Sequence, residues 1–168
     1  MHKVVWLPWL FAAASAVADT CPWLDEKSAA EALLVPPGEV RVEKNPLPAD
    51  PRGVVSHTTC RFRDTGDPLG QLAVAVWVFG SEAQASAGFD AALKGQSMPP
   101  RKAPVAGLPG FFAVTPGLSG NSWVRKGPRL VRVVHVYSRR VKDSIERDPD
   151  GAVISTHEIA RRVVARLP

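Results

Sequence analysis

Gln71–Phe79 reads QLAVAVWVF, and this stretch decides the fold. It is rich in β-branched and aromatic residues and apolar at both parities. A strand with one wet face would alternate, so this one predicts a strand covered on both sides. Three helical segments are available to cover it. Residues 24–34 (LDEKSAAEALL) are rich in Ala, Leu and Glu, with Asp25 as N-cap and Pro36-Pro37-Gly38 as the stop. Ser81-Glu82-Ala83-Gln84 is a capping box that opens a helix running to Lys94, with Gly95 ending it. Ala85, Phe89, Ala92 and Leu93 fall on one face of that helix, and its small residues let it lie close to a sheet. A second capping box, Ser155-Thr156-His157-Glu158, starts a final helix with Ile159, Val163 and Leu167 in one stripe.

Working outward, residues 58–63 (TTCRFR) alternate in strand period and are followed by a turn at Asp64-Thr65-Gly66-Asp67-Pro68. Val40–Lys44 is a weakly alternating short strand. Residues 45–57 carry Pro46, Pro48, Pro51 and Gly53 and read as a loop. After the middle helix, residues 96–110 form a Pro- and Gly-rich loop. Residues 111–115 and 122–126 are strands joined through Pro116-Gly117-Leu118-Ser119-Gly120, and residues 129–138 (RLVRVVHVYS) are a strong strand after the Gly127-Pro128 turn. Residues 139–152 are polar and turn-like. Connections of turn length join antiparallel neighbours. The expectation is therefore an α+β layered sandwich, a mostly antiparallel sheet with helices packed on it, in the order α-β-β-β-α-β-β-β-α.

The first 18 residues, MHKVVWLPWLFAAASAVA, have the pattern of an export signal. Lys3 supplies the positive start, an apolar run follows, and Ala16-Val17-Ala18 is a small-x-small cleavage pattern. The apolar run is short for a bilayer span, which needs about 20 residues, and it contains Pro8. No later segment is long and apolar enough to span. Cleavage after Ala18 would leave residues 19–168 as one domain in the periplasm or outside the cell. In the 168-residue chain, 45% of residues are hydrophobic and 22% charged, which suits a globular domain and excludes a polytopic membrane protein. Its two cysteines, Cys21 and Cys60, then predict a disulfide tying the start of the mature chain to a strand. Redox pairs sit closer together, and zinc needs more soft ligands.

The layout carries a likeness. An early Cys21 precedes a helix, Cys60 opens a strand, and a capped helix follows. Val105-Ala106-Gly107-Leu108-Pro109-Gly110 then precedes a pair of strands. This resembles a group of small exported bacterial domains, lipoproteins of unknown function among them, some with the PsbP-like α/β sandwich. The chain departs from the lipoprotein members, because Ala18-Asp19-Thr20 before Cys21 is no acylation motif. The resemblance carries no catalytic residue over. It implies a non-enzymatic envelope protein of the binding or accessory kind; the sequence itself gives no reason to expect a cofactor.

Charge is unevenly spread. Residues 19–90 hold eleven acidic and six basic side chains, whereas residues 91–142 hold ten basic and no acidic ones. The ten are Lys94, Arg101, Lys102, Arg125, Lys126, Arg129, Arg132, Arg139, Arg140 and Lys142. They predict either an anion-facing surface or a solvated set paired with the acidic half. The binding surface expected from them comprises Arg101, Lys102, Trp123, Arg125, Lys126 and Arg129. Its partner would be an acidic protein or an anionic envelope component, with an immunity-type inhibitor of an envelope toxin as one version. Nucleic acid is disfavoured by the export signal and by the lack of a recognition helix or stacking motif.

Catalytic signals are sparse. His135, with Tyr137 on the same strand face, is a candidate base for a small hydrolase or ligand-binding domain, set against a core or interface histidine. His57 has no local partner. His157-Glu158 opens like a zinc-protease motif, but Arg161 stands where the second His belongs. Ser119 lacks the last Gly of a nucleophile elbow. Asp143, Glu146, Asp148 and Asp150 before Gly151 do not have calcium-loop spacing, and Pro149 interrupts them.

Overall fold

The computed structural model describes residues 20–48, 53–147 and 154–168. The export-signal segment with its cleavage site and the Asp148–Gly151 stretch lie outside the described residues. In chain order the elements are α1 (Glu26–Leu33), one turn of 3-10 helix (Pro37–Glu39), β1 (Val40–Leu47), β2 (Val54–Asp64) and β3 (Gln71–Phe79). These are followed by α2 (Glu82–Lys94), β4 (Arg101–Lys102), β5 (Gly110–Thr115), β6 (Ser119–Lys126), β7 (Arg129–Val136), α3 (Arg139–Arg147) and α4 (Thr156–Ala165). The strands form one sheet in the order β1-β2-β3-β7-β6-β5-β4, and every neighbouring pair is antiparallel. The fold is an α+β sandwich.

β3 has the bounds its sequence predicts and is covered on both faces. Leu72, Val74 and Val76 point to one side, where Cys60, Phe62, Val124, Val131 and Val133 join α1 and α4 in the larger core. Trp77 and Phe79 point to the other, where Val54, Phe111, Trp123 and Leu130 meet Ala85, Phe89, Ala92 and Leu93 of α2. The sheet is thus the middle layer, with α1 and α4 on one side and α2 on the other. Cys21 and Cys60 are joined in a disulfide, which fastens the segment before α1 to β2. Among the described residues, no helix is long and apolar enough to cross a membrane.

The caps behave as their sequences predict. Asp25 accepts a hydrogen bond from Ser28 N (2.7 Å), Ser81 Oγ from Gln84 N (3.2 Å) and Ser155 Oγ from Glu158 N (3.2 Å). Each satisfies a backbone donor that has no partner within its helix.

Four expectations need correction. Residues 45–57 are not one loop: β1 runs on to Leu47 and β2 begins at Val54, pairing Asn45 with Thr59, Pro46 with Thr58 and Leu47 with His57. β1 is an edge strand, where a proline costs the ladder little. Ser119 and Gly120 belong to β6 rather than to the turn before it. The 96–110 loop contains the two-residue strand β4. Residues 139–147 are helix rather than turn. α3 buries only Val141 and so lacks an apolar stripe to read. It is held at its start by Asp67 Oδ2, which accepts from Arg139 N (2.9 Å), and by Ser138 Oγ, which accepts from Val141 N (3.2 Å).

Candidate functional site: an aromatic groove beneath α2

Strand alternation and register bring one row of rings together on the α2 face. His57 of β2 lies opposite Trp77 of β3, Trp77 opposite Leu130 of β7, and Trp123 of β6 opposite both Arg132 of β7 and Phe111 of β5. His57 stacks on Trp77 with centroids 4.4 Å apart, and Trp77 stacks on Trp123 at 5.5 Å. Phe111 continues the row at 6.1 Å from Trp123 and receives Phe89 of α2 edge-on at 5.2 Å. Both spacings lie in the favourable range for aromatic pairs.

Phe89 and Leu93 of α2 pack onto the core, but the part of the helix that lines the space over this floor carries mainly small residues. Ala85 is fully buried, and a Cβ on Gly88 would lie 2.9 Å from Phe79 Cζ, so only glycine allows that approach without a shift of the ring. Ala87, Ala91 and Ala92 have no bulk to fill the space beside them. The result is a groove of about 830 Å³, walled by α2 and by Leu47 and Val54 and floored by His57, Trp77, Trp123 and Leu130. That volume is within the usual range for small-molecule sites, and the lining is mainly apolar with few polar groups, as such sites require.

A second groove of about 460 Å³ adjoins it at the C-terminal end of α2, sharing Ala92 and Trp123. It is more polar, with Gln96, Ser97, Ser119, Asn121 and Arg132 in its lining. The half-buried Arg132 lies with its guanidinium carbon 5.1 Å from the Trp123 ring centroid. Its Nε donates to Asn121 Oδ1 (3.1 Å), Asn121 Nδ2 donates to Gln96 Oε1 (2.9 Å), and Gln96 Nε2 donates to Ala92 O (2.6 Å). This chain fixes the guanidinium plane. Among the described residues its two terminal nitrogens have no hydrogen-bond partner and no carboxylate lies within 4 Å. Burial disfavours its charged form, and burial likewise lowers the pKa of His57. The Trp123 indole N–H is buried without an acceptor among the described residues.

The residues expected to bind a partner are distributed differently. Arg101 and Lys102 are exposed on edge strand β4, opposite Phe112 and Phe111, and so face opposite sides of the sheet. Trp123 is 9% exposed and belongs to the groove floor. Arg125 shares its face. Lys126 and Arg129 point to the α4 side, where Lys126 Nζ donates to Val164 O (3.1 Å) and Leu167 O (2.6 Å). That ammonium caps the end of α4, satisfying terminal carbonyls and complementing the helix dipole. The six residues therefore do not converge on one surface. Cations of α4 and its C-cap do pair with acids of the N-terminal segment, Arg162 with Glu31 (2.8 Å) and Arg166 with Asp25. None of the ten cations of 91–142 is in an ion pair among the described residues.

His135 is 1% exposed on the α1/α4 side, edge-on to Tyr137 with centroids 5.0 Å apart. Among the described residues neither ring nitrogen has a hydrogen-bond partner, and burial holds its pKa down at about 4, so it is neutral at pH 7. Burial raises the pKa of Tyr137. Neither residue lines the two grooves. Glu158 is engaged by Arg161 and Arg162 along α4, and among the described residues no cluster of three or more His, Cys, Asp or Glu could hold a metal. Trp77 lies in the strand that the sequence predicted, whereas His57 fell in a stretch read as loop, because the prolines and glycine before it and a bulge between Val54 and Ser56 hide the start of β2.

No known protein family's sequence profile matches the chain, and no curated protein is significantly similar to it.

Proposed function

We propose that this is an exported binding protein whose site is the groove beneath α2, taking a small ligand with an apolar chain- or ring-shaped body. The observation that carries the reading is the floor of stacked rings, His57, Trp77 and Trp123, which Ala87, Gly88, Ala91 and Ala92 of α2 leave unfilled. Export rests on the leader pattern of residues 1–18, and the Cys21–Cys60 bond suits an oxidising compartment such as the periplasm. The resemblance of the sequence layout to small exported domains, some of them PsbP-like, supports the same reading. The burial of His135 away from both grooves weighs against a hydrolase built on His135 and Tyr137.

The test is titration with N-phenyl-1-naphthylamine, an uncharged ring probe, read by its fluorescence. Saturable one-to-one binding is expected in the wild type, with a loss of at least tenfold in Ala91→Phe, which plugs the groove from the helix side. No saturable binding, or equal binding by the variant, would overturn the reading. A second reading, docking of an acidic protein or anionic envelope component, is favoured by the exposed pair Arg101 and Lys102 beside the exposed Met98 and Val114. It requires salt-sensitive association that Arg101→Glu/Lys102→Glu weakens.

A further inference from the structure

Building on the groove reading, we propose that the two grooves form one site for an amphipathic carboxylate: its apolar body on the His57–Trp77–Trp123 floor, its carboxylate on Arg132. The argument is charge complementarity at a defined place. Trp123 lies in the lining of both grooves, so the apolar floor leads directly to the guanidinium. Ten cations occupy residues 91–142, but Arg132 is the one packed on a floor ring at the junction of the two grooves.

Three features point to an anion there. First, a guanidinium taken partly out of water is costly unless an anion or acceptor meets it. Its Nε is used by Asn121, but its terminal nitrogens have no partner among the described residues. Second, the Asn121–Gln96–Ala92 chain holds the fork in one orientation, which favours the planar, two-pronged geometry of a carboxylate. Third, the rest of that groove's polar lining is neutral: Ser97, Ser119, Asn121 and Gln96 offer hydrogen bonds with no carboxylate to repel an anion. At the opposite end His57 is desolvated and stacked, and so adds no competing cation at neutral pH. The site therefore has polarity, apolar at one end and cationic at the other. A neutral apolar ligand would leave Arg132 unmatched, and a small hydrophilic anion would leave the ring floor wet.

The experiment compares dodecanoate with dodecanol, each displacing N-phenyl-1-naphthylamine from the disulfide-bonded protein below their aggregation concentrations. Dodecanoate is expected to bind at least tenfold tighter than the alcohol. Arg132→Gln should erase that preference, so that acid and alcohol bind the variant equally, and Arg132→Lys should restore part of it. Circular dichroism and a thermal melt establish that each variant is folded. If Arg132→Gln fails to fold, Asn121→Leu, which frees the guanidinium from its tether, should reduce the preference instead. Equal binding of acid and alcohol by the wild type, with the probe still displaced, would overturn the carboxylate anchor and leave the groove reading standing. Failure of all three ligands to bind would overturn both.

Discussion

Acid should unfold this protein partly through His135. The residue is 1% exposed, both ring nitrogens are unpartnered among the described residues, and burial lowers its pKa from 6.5 to about 4. In the unfolded chain the imidazole takes a proton as pH falls through 6.5, whereas in the folded protein it resists until about 4. Between those values the unfolded state holds more protons, so stability declines as pH falls. The contribution is fully present above pH 6.5 and fully lost below about 4. At 1.36 kcal/mol per pKa unit the loss is about 3 kcal/mol, a large share of the total for a domain of this size. The perturbation is His135→Leu, which leaves an apolar side chain in an apolar site. Urea unfolding followed by tryptophan fluorescence at pH 7, 5.5 and 4 supplies the free energies. His57 acts with the same sign in both proteins and drops out of the difference. The stability lost between pH 7 and 4 should be about 3 kcal/mol smaller in the variant than in the wild type. Parallel curves for the two proteins would refute the reasoning.

Three other outcomes follow from the packing. Cys21→Ser/Cys60→Ser, which opens a loop with a sequence separation of 39, should cost about 4 kcal/mol in the chain-entropy model, measured by urea midpoint. Lys126→Met should cost about 1 kcal/mol by removing the ammonium from the carbonyls ending α4, with faster amide exchange confined to the last turn of that helix. Ser81→Ala should cost about 1 kcal/mol through the lost cap of α2, and Ser81→Asp should recover most of it in the same thermal melt.

What the sequence determined by itself was local. The bounds of β3, the caps Asp25, Ser81 and Ser155, the inner face of α2 and the buried stripe of α4 all follow from side-chain period and backbone chemistry within a few residues. α3 was illegible because it buries only Val141, and because one of the two side chains that hold its start, Asp67 on Arg139 N, comes from a distant loop, the other being the local Ser138. The extension of β1 through Pro46 was hidden for a similar reason, since an edge strand tolerates a residue that the local chain reads as a break. Only the tertiary structure decided which strand lies beside which. β7 sits between β3 and β6, and that long-range pairing stacks Trp77 on Trp123 and sets Arg132 over the same ring. The charge run was plain in the sequence. Strand alternation and register then divide it, sending Lys126 to cap α4 and Arg132 to the groove.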